Sequence, residues 1–251
     1  MSSINDLPED VLEEVLSRVP GIDLIHCCKL VCCNWRDMVD MPTLWKRKCQ
    51  LEGFLSNRVM QHIGDWKNFY FLFKLKKNLI RNPCGEESFN FWQIDENGGD
   101  KWAIENLPGD HGQPFPQPEV QKYFVTSFWY CLKSQLIDLR KEGYWEELLD
   151  EVQPDIVVTD WYAARHDCGC KYQVCVQLLS DDYTVLQELQ PEPVMIEQWS
   201  DAKWRKMSHT FQRYGPGVRY IKFQHGGKDS RYWKGWYGVR VTCSSLVIEP
   251  R

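Results

Sequence analysis

The 251-residue chain lacks several features that would place it in a membrane or on a secretory route. It has no uninterrupted apolar run long enough to span a bilayer, and its opening MSSINDLPED has early acids where a signal peptide has an apolar core. It also lacks any Asn-x-Ser/Thr acceptor for N-glycosylation. These absences predict a soluble, cytoplasmic protein with no stable membrane insertion.

An excess of basic charge is also missing. The 30 lysines and arginines and the 35 acidic residues are spread evenly along the chain and give a formal net charge of -5. Surfaces that bind nucleic acid usually appear as basic patches or stripes. We therefore expect no nucleic-acid partner.

The motifs of common enzyme and metal sites are absent as well. There is no Gly-x-Ser-x-Gly elbow, and the stretch GGKDS lacks the leading glycine of a phosphate loop and follows its lysine with an acid. The potential ligands His166, Cys168, Cys170 and Cys175 include only a C-x-C spacing, which is a poor start for a tetrahedral zinc site. We expect no metal, no cofactor and no catalytic residue; a thiol or metal enzyme built on HDCGC is a further alternative.

The 11 cysteines do not suggest a disulfide framework. Their number is odd, and the adjacent pairs Cys27-Cys28 and Cys32-Cys33 lie in a segment with a helical pattern, where neighbouring side chains point in different directions. This usage indicates a reducing compartment.

The first fifty residues carry apolar residues at helical spacing. In NDLPEDVLEEVLSRVP, Asp6 can cap a helix, Glu9 completes a capping-box-like pair, and Pro8 suits the first turn. The expected apolar stripe consists of Val11, Leu12, Val15, Leu16 and Val19. The stretch IDLIHCCKLVCCNWRDMVD repeats the pattern and PTLWKRKC closes it, so the sequence predicts a module of three short helices at residues 1–50.

So small a module buries little of its own surface, because burial efficiency falls with chain length. Leu7, Pro8, Ile22 and Leu24 lie at helix starts, where three helices would not cover them all. An apolar groove on another protein is the natural cover for such residues, and the alternative is that the larger domain covers them.

This stretch resembles an F-box. It has the Leu-Pro pair at Leu7 and Pro8, the middle Leu24, the run LVCCNWR, and the terminal pair Leu44-Trp45. The resemblance implies docking to a Skp-type adaptor and, through it, to a cullin-RING ubiquitin ligase, with the rest of the chain selecting the target and performing no bond chemistry. The adaptor-binding residues that it implies are Leu7, Pro8, Ile22, Leu24, Leu30, Val31 and Trp35.

Two further parts follow. Residues 51–80 lack proline and carry apolar residues at mixed spacing, which predicts a helical linker at 51–67 that fixes the distance between the modules. Residues 68–251 show strand-like alternation in SQLIDL, DIVVTDWY, YQVCVQLL, VRYIKFQH and VRVTCSSLVIEP, and one short helix is expected at YWEELLDEV. The predicted fold class is α+β, with a three-helix N-terminal module, a helical linker and an antiparallel β-sandwich.

The stretch RYWKGWYGVRV places four aromatic rings at a turn between two strand-like segments. One interpretation is that the rings simply pack beneath the loop, and we expect this of Trp236 and Tyr237. A sugar site is the other: Tyr232 and Trp233 would stack on the apolar face of a sugar ring and Lys234 would donate to its oxygens. Adjacent rings can share a ligand only if the backbone is irregular, because neighbours on a regular strand face opposite sides.

Most of the chain, from about residue 68 to 249, resembles the F-box-associated domain of the glycan-recognising F-box proteins. The resemblance rests on RNPCGEE, NGGDKW, KYFVTSF, EGYWEELLD, DWYAAR, GPGVRYIKFQHGG and YWKGWYGVRV. It implies a jelly-roll-like sandwich whose end loops bind the chitobiose core of high-mannose N-glycans. The implied glycan-binding residues are Phe128, Tyr232, Trp233, Lys234 and the acceptor Asp167, with His111 at the same end. Cys243 stands where the family usually carries asparagine.

Two hypotheses follow. In the first, the protein is a non-catalytic substrate receptor that recognises misfolded glycoproteins by their inner sugars, which are shielded in folded glycoproteins, and presents them for ubiquitination and ER-associated degradation. In the second, the same architecture binds unglycosylated protein substrates through its end loops, with the aromatic loop as a hot spot.

Overall fold

The computed structural model describes residues 7–55 and 63–251. It forms two compact units, one within Met1–Lys76 and the other within Lys77–Glu249. The predicted start of the second domain, residue 68, lies inside a helix of the first unit. The predicted cap Asp6 and residues 56–62 of the predicted linker lie outside the described residues.

The first unit has more helices than the sequence predicted. The prediction of three helices is wrong, because four α-helices and a 3-10 turn occupy residues 7–55 and a fifth α-helix follows. Pro8 precedes the first helix, and Glu9 and Asp10 place acids in its first turn, where they interact favourably with the helix dipole. The elements are α1 (Glu9–Ser17), α2 (Gly21–His26), the 3-10 turn (Cys28–Leu30), α3 (Cys33–Val39), α4 (Pro42–Leu51) and α5 (Trp66–Leu75).

Buried side chains from helices α1 to α5 form the core of this unit. In α1 the apolar stripe is narrower than predicted: Leu12 and Leu16 are fully buried, whereas Val11 and Val15 are exposed. Trp45 of α4 is buried, donates its indole N–H to the Val39 carbonyl at 2.7 Å, and packs against two rings of α5. Because α5 supplies the rings that cover Trp45, it is part of the core of this unit.

The second unit is an antiparallel β-sandwich, as predicted. Its strands are β1 (Gln93–Asn97), β2 (Ala103–Asn106), β3 (Lys122–Val125), β4 (Cys131–Asp138), β5 (Asp155–Ala163), β6 (Cys170–Leu179), β7 (Val185–Leu189), β8 (Val194–Ile196), β9 (Arg205–Phe211), β10 (Tyr220–Asp229) and β11 (Arg240–Glu249). The first sheet has the order β1-β4-β10-β6-β7, with β8 also paired to β6, and the second has the order β2-β3-β11-β5-β9. The predicted helix in YWEELLDEV is a single π-type turn at Leu148–Val152.

Alternation along β6 shows how the sheets face each other. Val174, Val176 and Leu178 are buried while the residues between them are half-buried, which confirms the predicted two-faced strand. Between the sheets, Tyr162 of β5 stacks on Tyr172 of β6 with ring centroids 4.0 Å apart.

A polar cluster is buried between the sheets. The carboxylate of Asp160 accepts hydrogen bonds from Tyr172 at 2.7 Å and Ser244 at 2.8 Å, and it lies 2.6 Å from Nδ1 of His225. A carboxylate only accepts, so Nδ1 of the neutral ring carries the proton. The ammonium group of Lys133, buried nearby, lies 3.0 Å from the ring centroid of Trp92. This cluster ties β5 and β11 of one sheet to β6 and β10 of the other.

Acid should destabilise the protein through His225. Burial is the main cause that lowers the pKa of His225 to about 4, and the charge of Lys133 acts in the same direction. An unfolded histidine titrates near ~6.5. Because the unfolded chain takes up this proton first, stability is retained above about pH 6.5 and lost as the pH falls toward 4. From pH 7 to pH 5 we expect His225 to cost about 2 kcal/mol of unfolding free energy.

Urea titrations at pH 7 and pH 5 measure this loss, with His225→Gln as the comparison. The variant lacks the titrating ring, so its unfolding free energy should fall by about 2 kcal/mol less than that of the wild type over this interval. Equal losses in the two proteins would show that His225 is not the group responsible.

Candidate functional site

Loops from both sheets meet at one end of the sandwich. The Asp229 amide donates to the Ser127 carbonyl at 3.0 Å, and the Ser230 amide donates to the Gly169 carbonyl at 2.9 Å. On the same rim, the His166 amide donates to the His111 carbonyl at 2.9 Å. Segments that are distant in sequence are thereby joined around the aromatic loop, which we define as residues 230–239.

The aromatic loop is held by a buried carboxylate at the end of β10. Asp229 is fully buried and accepts from the amides of Arg231, Tyr232 and Trp233, at 2.9 Å for the first and 3.1 Å for the last. Three residues after β10 ends, Tyr232 has a φ of +59°, a left-handed backbone conformation. The irregular backbone required for two adjacent rings to serve one ligand is therefore present.

A second anchor connects this loop to the loop that carries Phe128. The Ser127 hydroxyl donates to the Gly235 carbonyl at 2.8 Å, and the carboxylate of Asp100 accepts from the Gly235 amide at 2.6 Å. Gly99 lets the Phe128 ring approach closely, because a Cβ at Gly99 would lie only 3.1 Å from two ring carbons. The half-buried Phe128 is therefore fixed beside the turn that follows Lys234.

Several rings at this end remain exposed. Tyr232 is 56% exposed, while Trp233 and Trp236 are each 41% exposed. The prediction that Trp236 is buried is wrong, whereas Tyr237 is half-buried and lies perpendicular to Trp233 with ring centroids 5.5 Å apart. Glycines on both sides of a Trp-Tyr pair allow a ring to turn inward without requiring it.

A positively charged side chain lies among three of the rings. The ammonium group of Lys228 donates to the Tyr232 hydroxyl at 3.1 Å and lies 5.4 Å from the ring centroid of Trp129 and 5.0 Å from that of Tyr130. Trp129 also packs edge-on against Tyr232, and it is 53% exposed. These contacts hold the Tyr232 ring in one orientation at the surface.

Asp167 forms the acidic side of the site. The Arg165 guanidinium donates to both carboxylate oxygens of Asp167, at 2.9 Å and 3.1 Å, and these hydrogen bonds lower the pKa of Asp167. The same guanidinium lies 4.5 Å from the ring centroid of Tyr237. Nε2 of His111 is 3.8 Å from an Asp167 oxygen. Asp167 is thus an ionised acceptor with lone pairs left for a further donor. Arg165 and Tyr237 connect it to Trp233.

Together these groups offer an exposed platform of rings with a donor and an acceptor at its edge. Lys234 is exposed, and among residues 7–55 and 63–251 its ammonium group has no ion-pair partner. The predicted glycan-binding residues Phe128, Tyr232, Trp233, Lys234 and Asp167 therefore all belong to one connected end of the sandwich.

Sequence reasoning missed the residues that hold this site in place. Asp100, Ser127, Arg165, Lys228 and Asp229 are supports whose roles depend on partners far away in the chain. Only Asp229 left a local signal, since an Asp directly before a turn commonly accepts from the amides that follow it. In the stretch GGKDS, which lacks the pattern of a phosphate loop, the acid Asp229 anchors the aromatic loop.

The thiol and metal alternative gains no support. Cys168 and Cys170 are buried, and Cys175 is paired with Glu188 at 3.4 Å. His166 uses Nδ1 for the Ser200 carbonyl at 2.6 Å. In the part of the chain that the structure describes, no group of three or more His, Cys, Asp or Glu residues is arranged to hold a metal ion.

The predicted adaptor-binding residues are exposed with two exceptions. Leu24 is fully buried, which corrects the prediction that it lies on the docking surface, because α2 turns it into the core. Trp35 is half-buried. The remaining five are exposed, with Leu30 at 81%, Ile22 at 58%, Val31 at 56% and Leu7 at 38%, and with Pro8 beside Leu7. The 3-10 turn that carries Leu30 packs against both α2 and α3.

Two protein-family models match the chain. The model described as F-box-like matches residues 4–51, and the model described as F-box associated region matches residues 70–248. The chain therefore belongs to the family of F-box proteins that carry an F-box associated region. Among the residues that the structure describes, no helix has the length and apolar character needed to span a membrane.

Known relatives place the chain more narrowly within this family. F-box only protein 6 of Homo sapiens is 59% identical over 251 residues, which cover 100% of this chain and 86% of that protein. F-box only protein 44 of Homo sapiens is 57% identical, with 100% of this chain and 98% of that protein covered, and F-box only protein 2 of Bos taurus is 50% identical, with 98% and 84% covered. Among solved structures, TmCBM61 in complex with β-1,4-galactotriose covers 69% of this chain and 99% of its own with 15% identity, but its TM-score of 0.41 supports no argument.

Proposed function

We propose that this protein is a substrate receptor of a Skp-cullin-F-box ubiquitin ligase that binds the chitobiose core of high-mannose N-glycans on misfolded glycoproteins. The observation that carries the proposal is the anchored aromatic loop, which presents Tyr232, Trp233 and Lys234 together at the surface. Glycan recognition would select the client for ubiquitination and ER-associated degradation, from a cytoplasmic location.

The chemistry of the loop suits an N-acetylglucosamine disaccharide. Each sugar ring has an apolar face of C–H groups that packs on an aromatic face, and an edge of hydroxyl and acetamido groups that hydrogen-bond. Trp233 and Tyr232 would supply the stacking surface and Phe128 a lateral wall. Lys234 would donate to a sugar oxygen, and the ionised Asp167 would accept from a hydroxyl or an amide N–H.

Pre-organisation supports this assignment. Three amides of the loop are held by one buried carboxylate, and Asp100 and Ser127 fix the far side of the turn. A site built in advance loses less conformational entropy on binding, which matters for a small ligand with few contacts. No step of bond chemistry is assigned to this chain, because ubiquitin transfer would belong to the other subunits of the ligase.

Isothermal titration of the full chain with N,N'-diacetylchitobiose tests the proposal. Saturable one-site binding is expected, and cellobiose, which has the same linkage and no acetamido groups, should bind much more weakly. If millimolar chitobiose gives no saturable heat of binding, glycan recognition is contradicted, and the ligase role remains to be tested separately.

The same surface favours one alternative. Trp129 and Tyr232 are exposed around Lys228, and tryptophan and tyrosine are enriched in the hot spots of protein interfaces. In this alternative the end loops bind an unglycosylated protein substrate. Clients whose capture survives enzymatic removal of their glycans, together with a failed chitobiose titration, would favour it.

Leu30→Asp should weaken adaptor binding by at least about 30-fold, because a charge would replace the most exposed apolar side chain of the predicted docking surface. The measurement is the affinity of the full chain for a Skp-type adaptor by biolayer interferometry. Leu51→Asp is the matched control, since Leu51 is also exposed, at 52%, and lies at the end of α4 outside the predicted set. Wild-type affinity in Leu30→Asp would refute the predicted docking surface.

A further inference from the structure

Two half-buried thiols from distant parts of the chain meet in the second unit. The sulfur atoms of Cys84 and Cys243 lie 3.4 Å apart, although the residues are separated by 159 positions. The sulfurs of a disulfide lie about 2.0 Å apart, so these two atoms would have to approach by only about 1.4 Å to form a covalent bond. We propose that Cys84 and Cys243 are a redox modification site, at which a peroxide converts the two thiols into a reversible disulfide.

The backbone on both sides of the contact is held without help from the sulfurs. The Leu79 amide donates to the Leu246 carbonyl at 2.8 Å, and the Asn78 side chain donates to the Ser244 carbonyl at 3.0 Å and accepts from the Leu246 amide at 3.0 Å. The segment leading to Cys84 is therefore fastened to β11 next to Cys243. Cross-linking would tie two pieces of chain that already lie together.

Cys243 owes its position to an irregularity in β11. The pairing of β11 with β5 shifts register between Thr242 and Ser245, and Cys243 has a φ of +50°, in the left-handed region. A bulge turns a side chain away from the regular alternation of a strand. At this bulge the regular backbone pairing of β11 with β5 is interrupted, and the Cys243 sulfur points toward Cys84.

The contact also prepares one sulfur for reaction. Hydrogen bonds from the thiol of Cys243 and from its backbone amide lower the pKa of Cys84 to about 6, although burial acts against them. The same thiol-thiol hydrogen bond raises the pKa of Cys243. Cys84 is thus the thiolate and nucleophile at neutral pH, and Cys243 is the resolving thiol.

The reaction balances with hydrogen peroxide as the two-electron oxidant. The Cys84 thiolate attacks one peroxide oxygen, the O–O bond breaks, and hydroxide leaves and takes up a proton to form water, which gives a sulfenic acid on Cys84. The sulfur of Cys243 then attacks the Cys84 sulfur, the S–O bond breaks, and the Cys243 proton leaves with the hydroxyl as a second water. Two thiols and one peroxide give one disulfide and two waters, and an external dithiol reverses the reaction.

The other thiols of the second unit make the assignment selective. Burial raises the pKa of Cys131, raises that of Cys168 to about 11, and also raises that of its fully buried neighbour Cys170. Cys175 is half-buried like the proposed pair, but burial and its bond to Glu188 raise its pKa to about 11. Each of these sulfurs is protonated at neutral pH and reacts slowly with peroxide.

The test is treatment of the full chain with stoichiometric hydrogen peroxide at pH 7, followed by non-reducing peptide mapping. We expect the peptides containing Cys84 and Cys243 to be joined, with a loss of two hydrogens in mass, and separated again by dithiothreitol. The thermal midpoint of the second unit should rise by at least about 5 °C, because the bond closes a long loop of the unfolded chain. Cys84→Ser and Cys243→Ser should each abolish both effects, and the matched control Cys175→Ser should keep both.

Three outcomes would overturn the proposal. They are an absence of the Cys84–Cys243 peptide in the oxidised protein, its appearance only after the chain is unfolded, and a stable sulfenic acid on Cys84, trapped by dimedone, without cross-linking. Because the cross-link is measured in the wild-type chain, the test does not depend on the folding of either variant.

Discussion

Trp233→Ala is expected to lower the affinity for N,N'-diacetylchitobiose by at least about 30-fold, the effect of losing a binding hot spot of about 2 kcal/mol. The Trp233 ring is 41% exposed, and within the loop it packs perpendicular to the Tyr237 ring. The backbone amide of residue 233 donates to Asp229 whatever the side chain is, so the loop should keep its shape. The loss would therefore report on stacking against the sugar and not on the fold.

Trp236→Ala is the matched control for this prediction. Trp236 has the same ring and the same exposed fraction, 41%, and lies three residues further along the loop. It should keep chitobiose affinity within about threefold, because the proposed site does not use it. An equal loss in both variants would show that the loop responds as a whole, and full binding by Trp233→Ala would remove the stacking role proposed for Trp233. Adaptor affinity should be unchanged in both, since the docking surface belongs to the other unit.

Asp160→Ala is expected to cost about 4 kcal/mol of unfolding free energy, the largest stability effect that we predict. The Asp160 carboxylate is buried and accepts hydrogen bonds from Tyr172, Ser244 and His225. Removing the carboxylate leaves three hydrogen-bond donors without an acceptor between the sheets, where water cannot replace it. Because domains are stable by only about 5–15 kcal/mol, a large part of the stability of the second unit would be lost. Urea titration of the full chain measures the change.

Two comparisons separate the buried network from a general effect of losing charge. Asp155→Ala removes a carboxylate from the same strand, but its partners Gln212 and Arg251 are near solvent, so we expect a cost below about 1 kcal/mol. Tyr172→Phe removes one donor and keeps the stacked ring, and should cost about 1 kcal/mol. Similar costs for Asp160→Ala and Asp155→Ala would contradict a central role for the buried cluster.

Local patterns were sufficient for the strongly patterned parts of the fold. The alternation in YQVCVQLL predicted β6, and the strand-like runs at β4, β5, β10 and β11 were also found. The strands that were missed, among them β1 and β9, are short or consist mostly of polar residues, so their sequences lack a clear two-residue period of apolar side chains. β1 and β9 are strands because they pair with β4 and β5, respectively.

Helix boundaries and exposure in the first unit were predicted less well. Apolar residues at helical spacing do not show whether a neighbour is available to cover them, and so Val11 and Leu24 were assigned to the wrong environments. The predicted boundary between the linker and the second domain, at residue 68, falls within α5, whose rings cover Trp45. Only the packing of helices that are apart in sequence reveals which of these side chains are buried.

The sequence by itself determined the family, the two-part α+β organisation and the residue types of the candidate site, because these depend on motifs and periods that are local in the chain. Tertiary structure alone decided that Asp229, Asp100 and Ser127 hold the aromatic loop open to solvent, that Asp160 joins the two sheets, and that Cys84 meets Cys243. Each of these depends on a contact between segments brought together by strand order and register, and those contacts form only when the whole sandwich has folded.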